Sequence, residues 1–313
     1  MQYRGFVLEF RGSTAHQKTL KAAIHCRGVG LHSGARINMT LHPAAPGTGI
    51  TFCRRDLGGA EVVADWRNIV DSTLCTTIGA KNGTKVATIE HLMAAFAGLE
   101  IDNARVELDG PEVPVMDGSA APFVFLIECA GVAEQVAPRR GIKVLKPIRV
   151  GDGESAASLA PADNFRISFA IDFASSAIRC QELSYAVNAD SFKADISRAR
   201  TFGFLDDVER MRRAGLARGG SLENAVVISG DRVLNKEGLR YDDEFVRHKA
   251  LDALGDLYLA GGTILGEFHG VRSGHALNHQ LLKALFADPA AWRPVTLAAV
   301  QPSWDEEPQR ARA

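Results

Sequence analysis

A chain of 313 residues is more than one hydrophobic core ordinarily serves, so two domains are expected. Apolar residues at 46% and charged residues at 23% exclude a disordered chain, and 36 Lys plus Arg against 37 Asp plus Glu, a formal charge of -1, exclude a nucleic-acid partner. The five scattered cysteines, with no CxxC pair, exclude a disulfide framework and a cysteine zinc knuckle.

In chain order, residues 1–17 show no period and read as a loose extension; Arg4, Glu9, Arg11 and Lys18 interrupt any signal-peptide run. Residues 19–41 read as short strands broken by the turn-rich stretch 27–34, and strand-like pieces continue to Val86. A helix follows, with Thr88 as its N-cap, Ile89, Leu92, Met93 and Phe96 at helical spacing, and Gly98 at its end. Residues 101–108 read as a strand, 111–119 as a loop and 122–129 as a second helix. The stretch 137–141, polar and punctuated by Pro138 and Gly141, is the expected domain boundary. Beyond it, 142–150, 165–173 and 182–187 read as strands and 205–214 as a polar helix. Residues 245–259 form the strongest helix of this half, with Ala250, Leu251, Leu254, Leu257 and Tyr258 as its apolar face. No apolar segment is long enough to span a bilayer, and a cytoplasmic protein is expected.

The chemistry concentrates in two places. His248 and Asp252 lie four apart, one helical turn, and Asp256 continues their stripe. Such a pair can bind one zinc, and it also occurs on ordinary exposed helix faces; both readings stand on this helix alone. Glu90-His91, at the other helix start, is a second histidine beside a carboxylate. Together the two places offer three ligands, His91, His248 and Asp252, with a fourth position left open, the pattern of a catalytic zinc. Glu90 is then placed to act as general base. His275, between glycine-rich neighbours, reads as a mobile loop histidine suited to general acid, with Asp256 as partner. His16, His25, His42, His269 and His279 have no such context and are read as having no role. His91 and His248 are each followed seven residues later by glycine (Gly98 and Gly255), a hint of two copies of one α+β unit.

The segments GVGLHSG (28–34), TIEHLMAAFAGLEIDN (88–103), MDGSAAPF (116–123), ARTFGF (199–204), GGSLENAVV (219–227), RVLNKEGLRYDDEFVRHKALDALGDL (232–257) and SGHALNH (273–279) resemble the UDP-3-O-acyl-N-acetylglucosamine deacetylases of lipid A synthesis in Gram-negative bacteria. The likeness covers roughly residues 18–286. It implies an α+β fold of two similar domains, each a small mixed sheet with helices. The helices are sandwiched between the two sheets, and the active site lies at the domain junction. The implied division is an N-terminal extension (1–17), a first domain (18–137), a second domain (138–287) and a C-terminal tail (288–313). The resemblance further implies that His91, His248 and Asp252 hold one Zn2+, a set that also suits Fe2+. Glu90 is implied as base, His275 as acid, Asp256 as its orienting partner and Thr201 as the hydroxyl for the oxyanion. Lys249 and Phe202 match substrate contacts, and Leu205, Val208, Ala217, Ser221 and Leu222 match the lining of an acyl-chain passage. The implied partner is an acylated UDP-sugar handled by a monomer, with no more than transient contact with a membrane surface.

Overall fold

The computed structural model describes residues 14–299. Most of the expected N-terminal extension and the Trp304–Glu307 stretch of the tail lie outside the described residues. The first half runs β1 (His16–Leu20), β2 (Ile24–Val29), β3 (Arg36–Pro43), β4 (Ile50–Arg54), β5 (Ala60–Val63), β6 (Ile69–Asp71), β7 (Thr77–Gly79), β8 (Lys85–Val86), α1 (Glu90–Gly98), β9 (Ala104–Leu108) and α2 (Ala121–Ala130). The second half opens with β10 (Val132–Pro138), β11 (Arg140–Val144), β12 (Ile148–Gly151), β13 (Ala156–Ala160), β14 (Phe165–Asp172), β15 (Cys180–Ala186) and the short α3 (Ala189–Ser191). It continues through β16 (Phe202–Phe204), α4 (Leu205–Arg213), β17 (Val226–Ser229), β18 (Arg232–Val233), α5 (Glu244–Tyr258), β19 (Thr263–Val271), α6 (His275–Ala287) and β20 (Trp292–Thr296).

Adding ten to a strand number maps one half onto the other. The first sheet has the order β2-β3-β9-β4-β5, with β9 antiparallel to β3 and parallel to β4. In the second, β12-β13-β19-β14-β15 repeat that order, with β19 antiparallel to β13 and parallel to β14. The ribbons obey the same rule: β1 pairs with β10, and β11 with β20. Each half also inserts a three-stranded sheet, β6–β8 or β16–β18, ahead of its central helix.

Period-two patterning explains why each sheet has one dry face. Ile37, Met39 and Leu41 of β3 and Ile167, Phe169 and Ile171 of β14 all point into the core. The helices fill the space between the sheets: α1 packs on α5, α2 on β2, α5 on β14 and β15, and α6 on β12 and β13. The closest approach of the central helices depends on Gly255, where a Cβ would stand 2.0 Å from the Glu90 carbonyl oxygen. No side chain longer than hydrogen fits there.

Several local expectations are corrected. Thr88 does not cap α1: its φ is 56°, the N-cap is Ile89, and the Thr88 hydroxyl donates to Glu112 at 2.7 Å. A β-branched residue with positive φ is strained. At the expected domain boundary, 137–141, the chain is strand on both sides, with Arg139 alone between β10 and β11. Arg139 is buried and pairs with Glu100 (2.7 Å) and Asp102 (3.0 Å). The end of the expected extension belongs to β1, and Thr14 bridges to Ala298.

Candidate active site

The site lies where the start of α1 meets the middle of α5. α5 is buried on its polar side as well as its apolar one, so His248, Asp252 and Asp256 are 3%, 4% and 0% exposed. That rules out the reading of an ordinary exposed face. Asp252 Oδ1 lies 3.3 Å from His248 Nε2 and 3.6 Å from His91 Nε2. One ligand atom from each of the three residues falls within 4.8 Å of the others, and among the described residues theirs is the one such cluster.

The donor set fits a divalent cation. The Ala199 carbonyl lies 3.1 Å from His248 Nδ1, and accepting that proton leaves Nε2 free to bind. Asp252 Oδ1 is buried and has no hydrogen-bond partner although two imidazoles face it. An orphaned carboxylate oxygen of this kind is costly unless something positive meets it. Asp252 Oδ2 accepts from Lys249 Nζ at 3.0 Å. Burial opposes the charge on Asp252, but His248 and Lys249 hold its carboxyl well below the usual range. Burial also pushes His248 down to about 4, keeping it a neutral ligand.

Two titratable groups flank the cluster. Glu90, 3% exposed, accepts the Thr76 amide on Oε2 at 3.0 Å, and burial raises its pKa. His275 is not in a loop; it is the first residue of α6, with Nδ1 2.8 Å from Asp256 Oδ2. Burial and a helix N-terminus both disfavour a cation. The carboxylates of Asp256, Asp252 and Glu90 overcome that and push His275 up to about 9. Asp256 is held low in turn: burial opposes its charge, but His275 and His279 face it. Glu90 is thus held toward neutrality and His275 toward its cation, a separation of the kind that paired acid–base groups use.

Thr201 and Phe202 come from the second insert. The Thr201 amide donates to Gly118 O and its carbonyl accepts from Val226, both at 2.8 Å, and a Cβ on Gly118 would stand 2.1 Å from Asn224 O. The MDGS turn therefore sets Thr201 in place. The Phe202 ring lies 6.2 Å from the His248 ring. A cleft of about 490 Å³ opens over these groups, lined by Thr201, Phe202, His248, Lys249, Asp252 and His275 among others. The expected passage residues are dispersed: Leu205 lines a second cleft with Phe173 and Phe204, Val208 is half-buried, Ala217 is buried, and Ser221 and Leu222 are exposed.

A sequence model of the UDP-3-O-acyl N-acetylglycosamine deacetylase family matches residues 17–287. The chain belongs to that family. It is 52% identical to the UDP-3-O-acyl-N-acetylglucosamine deacetylase of Myxococcus xanthus over 283 residues, 90% of each chain. It is 53% identical to the protein of the same name from Nitrosococcus oceani, over 90% of this chain and 93% of that one. The family match covers every residue of the site.

Sequence reasoning missed three buried groups around Asp256. Thr76 Oγ1 donates to its Oδ1 at 2.5 Å, Asn278 Nδ2 donates to its Oδ2 at 2.9 Å, and His279 Nε2, read as having no role, lies 3.5 Å from Oδ1. The signal that could have found Asn278 and His279 is their place one turn along α6 from His275. Thr76 carries no such signal.

Proposed function

We propose that the protein hydrolyses the 2-acetamido group of a UDP-3-O-acyl-N-acetylglucosamine, releasing acetate in lipid A biosynthesis, with one zinc ion held by His91, His248 and Asp252. The observation that carries this reading is a buried His-His-Asp cluster flanked by one carboxyl raised and one imidazolium stabilised. When bound, zinc supplies Lewis acidity at the amide carbonyl and acidifies water there. Iron(II) suits the same ligands.

Glu90 takes a proton from the water that attacks the carbonyl carbon. The Thr201 hydroxyl and the His275 imidazolium donate to the oxygen that becomes negative, each such donor supplying about 3 kcal/mol. His275 Nε2 then gives its proton to the sugar nitrogen as the C–N bond breaks, leaving acetate and a free amine. Asp256 keeps the imidazole oriented through Nδ1, and Lys249 and Phe202 hold the substrate beside the cluster. The cleft beside Leu205 accepts the acyl chain.

Among the described residues, no helix is long and apolar enough to cross a membrane. We place the enzyme in the cytoplasm as a monomer that meets membrane lipid only through its substrate or product.

Purified protein should carry zinc and release acetate from the 3-O-acylated substrate far faster than from one lacking the acyl chain. His248→Ala should lose zinc and activity together, by more than the roughly 100-fold that loss of an outer-shell partner costs. A variant that keeps stoichiometric zinc refutes the ligand set, and acetate release that survives complete chelation refutes the metal.

A further inference from the structure

We propose that Thr76 is a positioning residue that fixes the acid relative to the base, an inference that rests on the reaction proposed above. Thr76 is wholly buried and stands directly before β7, in the first half's insert, whereas Asp256 and His275 belong to the second half. Its amide donates to Glu90 Oε2 at 3.0 Å, and its hydroxyl donates to Asp256 Oδ1. One residue therefore touches the base through its amide, and the acid both through the carboxylate that orients it and by a longer contact of Oγ1 with His275 Nδ1 at 3.4 Å.

Thr76 Oγ1 faces one short acceptor, Asp256 Oδ1, and two ring nitrogens, His279 Nε2 at 3.3 Å and His275 Nδ1 at 3.4 Å. A threonine hydroxyl has a single proton and two lone pairs. The proton goes to Asp256 Oδ1, the nearest acceptor, which leaves the oxygen to accept from His279 Nε2 at 3.3 Å. Oδ2 of Asp256 then receives His275 Nδ1 at 2.8 Å and Asn278 Nδ2 at 2.9 Å. His275 is thus held with Nδ1 toward Asp256 and Nε2 toward the cluster, where Asp252 Oδ2 is 4.0 Å away. Without the hydroxyl, Asp256 Oδ1 retains only the longer contact to His279, and the carboxylate is held chiefly through Oδ2, about which it can pivot. Because the Thr76 backbone is held by Glu90, the hydroxyl cannot follow such a rotation.

Thr76→Val keeps the amide and the shape of the side chain and removes only the hydroxyl; Thr76→Ser keeps the hydroxyl. In the zinc-loaded enzyme, Thr76→Val should lower kcat by about tenfold to a hundredfold, the worth of one charge-assisted hydrogen bond, and leave KM for the UDP-sugar unchanged. Thr76→Ser should restore kcat to within about threefold of the parent. The Nδ1–H resonance of His275, sheltered by Asp256, should stay sharp in the parent and the serine variant and broaden in the valine variant. A valine variant with kcat within about twofold of the parent overturns the proposal, as does a serine variant equally slow. A lowered melting temperature or zinc content that accounts for the lost rate makes Thr76 merely structural and overturns it too. If the parent enzyme releases no acetate, the proposed reaction fails instead, and the His275 resonance decides the role of Thr76 separately.

Discussion

Placing α1 on α5 by their histidines sets His91 against His248 and Gly98 against Gly255. It also sets Glu90 against Arg247, Ala95 against Asp252 and Leu99 against Asp256. The strand order around the two helices is the same, yet the first half has an apolar residue wherever the second has a buried carboxylate. The second half's α6 likewise begins on His275 where α2 begins on Ala121. A repeated frame therefore carries an unrepeated site. A buried carboxylate survives only with partners, and Asp252 and Asp256 draw theirs from both halves: His91 and Thr76 from the first, His248, His275 and Lys249 from the second. Either half alone would leave these carboxylates short of partners.

The comparison can be broken by giving α1 the residue α5 has. Ala95→Asp buries a carboxylate with no partner built for it, since Ala95 is wholly buried, and should cost about 3–5 kcal/mol in denaturant unfolding. A stable variant would mean that the first half also holds a latent charge site.

A smaller effect separates the two glycines. At Gly98 a Cβ would stand 2.1 Å from the Phe192 ring, and at Gly255 it would meet the Glu90 carbonyl. Gly98→Ala and Gly255→Ala should each lose about 1–3 kcal/mol. Only Gly255→Ala should also lower kcat, because it pushes directly on the backbone of Glu90. Equal kcat in the two variants would show that the approach of α5 to Glu90 does not set the site.

The smallest effect concerns pH. Activity should decline on the alkaline side as His275 passes through about 9 and gives up its proton. The carboxylate of Asp256 raises that value, so Asp256→Asn should shift the alkaline limb toward lower pH. A limb that stays in place assigns it to another group.

The α5 stripe and the Glu90-His91 pair were legible in the sequence because helical spacing turns a local pattern into a face. Their convergence was legible only through the family resemblance, since nothing in the period of either helix says which other helix it meets. Thr76 was illegible for the same reason: an isolated threonine acquires its role from Asp256, 180 positions away, once the insert has folded back. Thr88 carried a misleading signal, for a threonine before a helix usually caps it, whereas here its hydroxyl is committed to Glu112. The ion pairs that Arg139 makes in the 137–141 stretch were not legible, because Glu100 and Asp102 lie far from it in the chain. The passage lining was least accessible, as it depends on how the α4 segment packs and not on any residue's identity.

Arg139 has one more consequence. Its amide donates to Ala15 O at 2.7 Å, and its carbonyl accepts from Leu297 at 3.0 Å, while Ala15 donates to Leu297 O at 2.9 Å. Early, middle and late parts of the described chain are stitched together at one knot, making residues 14–298 nearly a closed loop. Topologically the order in which the halves are read then matters little. A chain rewired to join residues 14 and 298, and reopened at the uncrowded Gly58-Gly59 turn, would keep every pairing that brings the halves together.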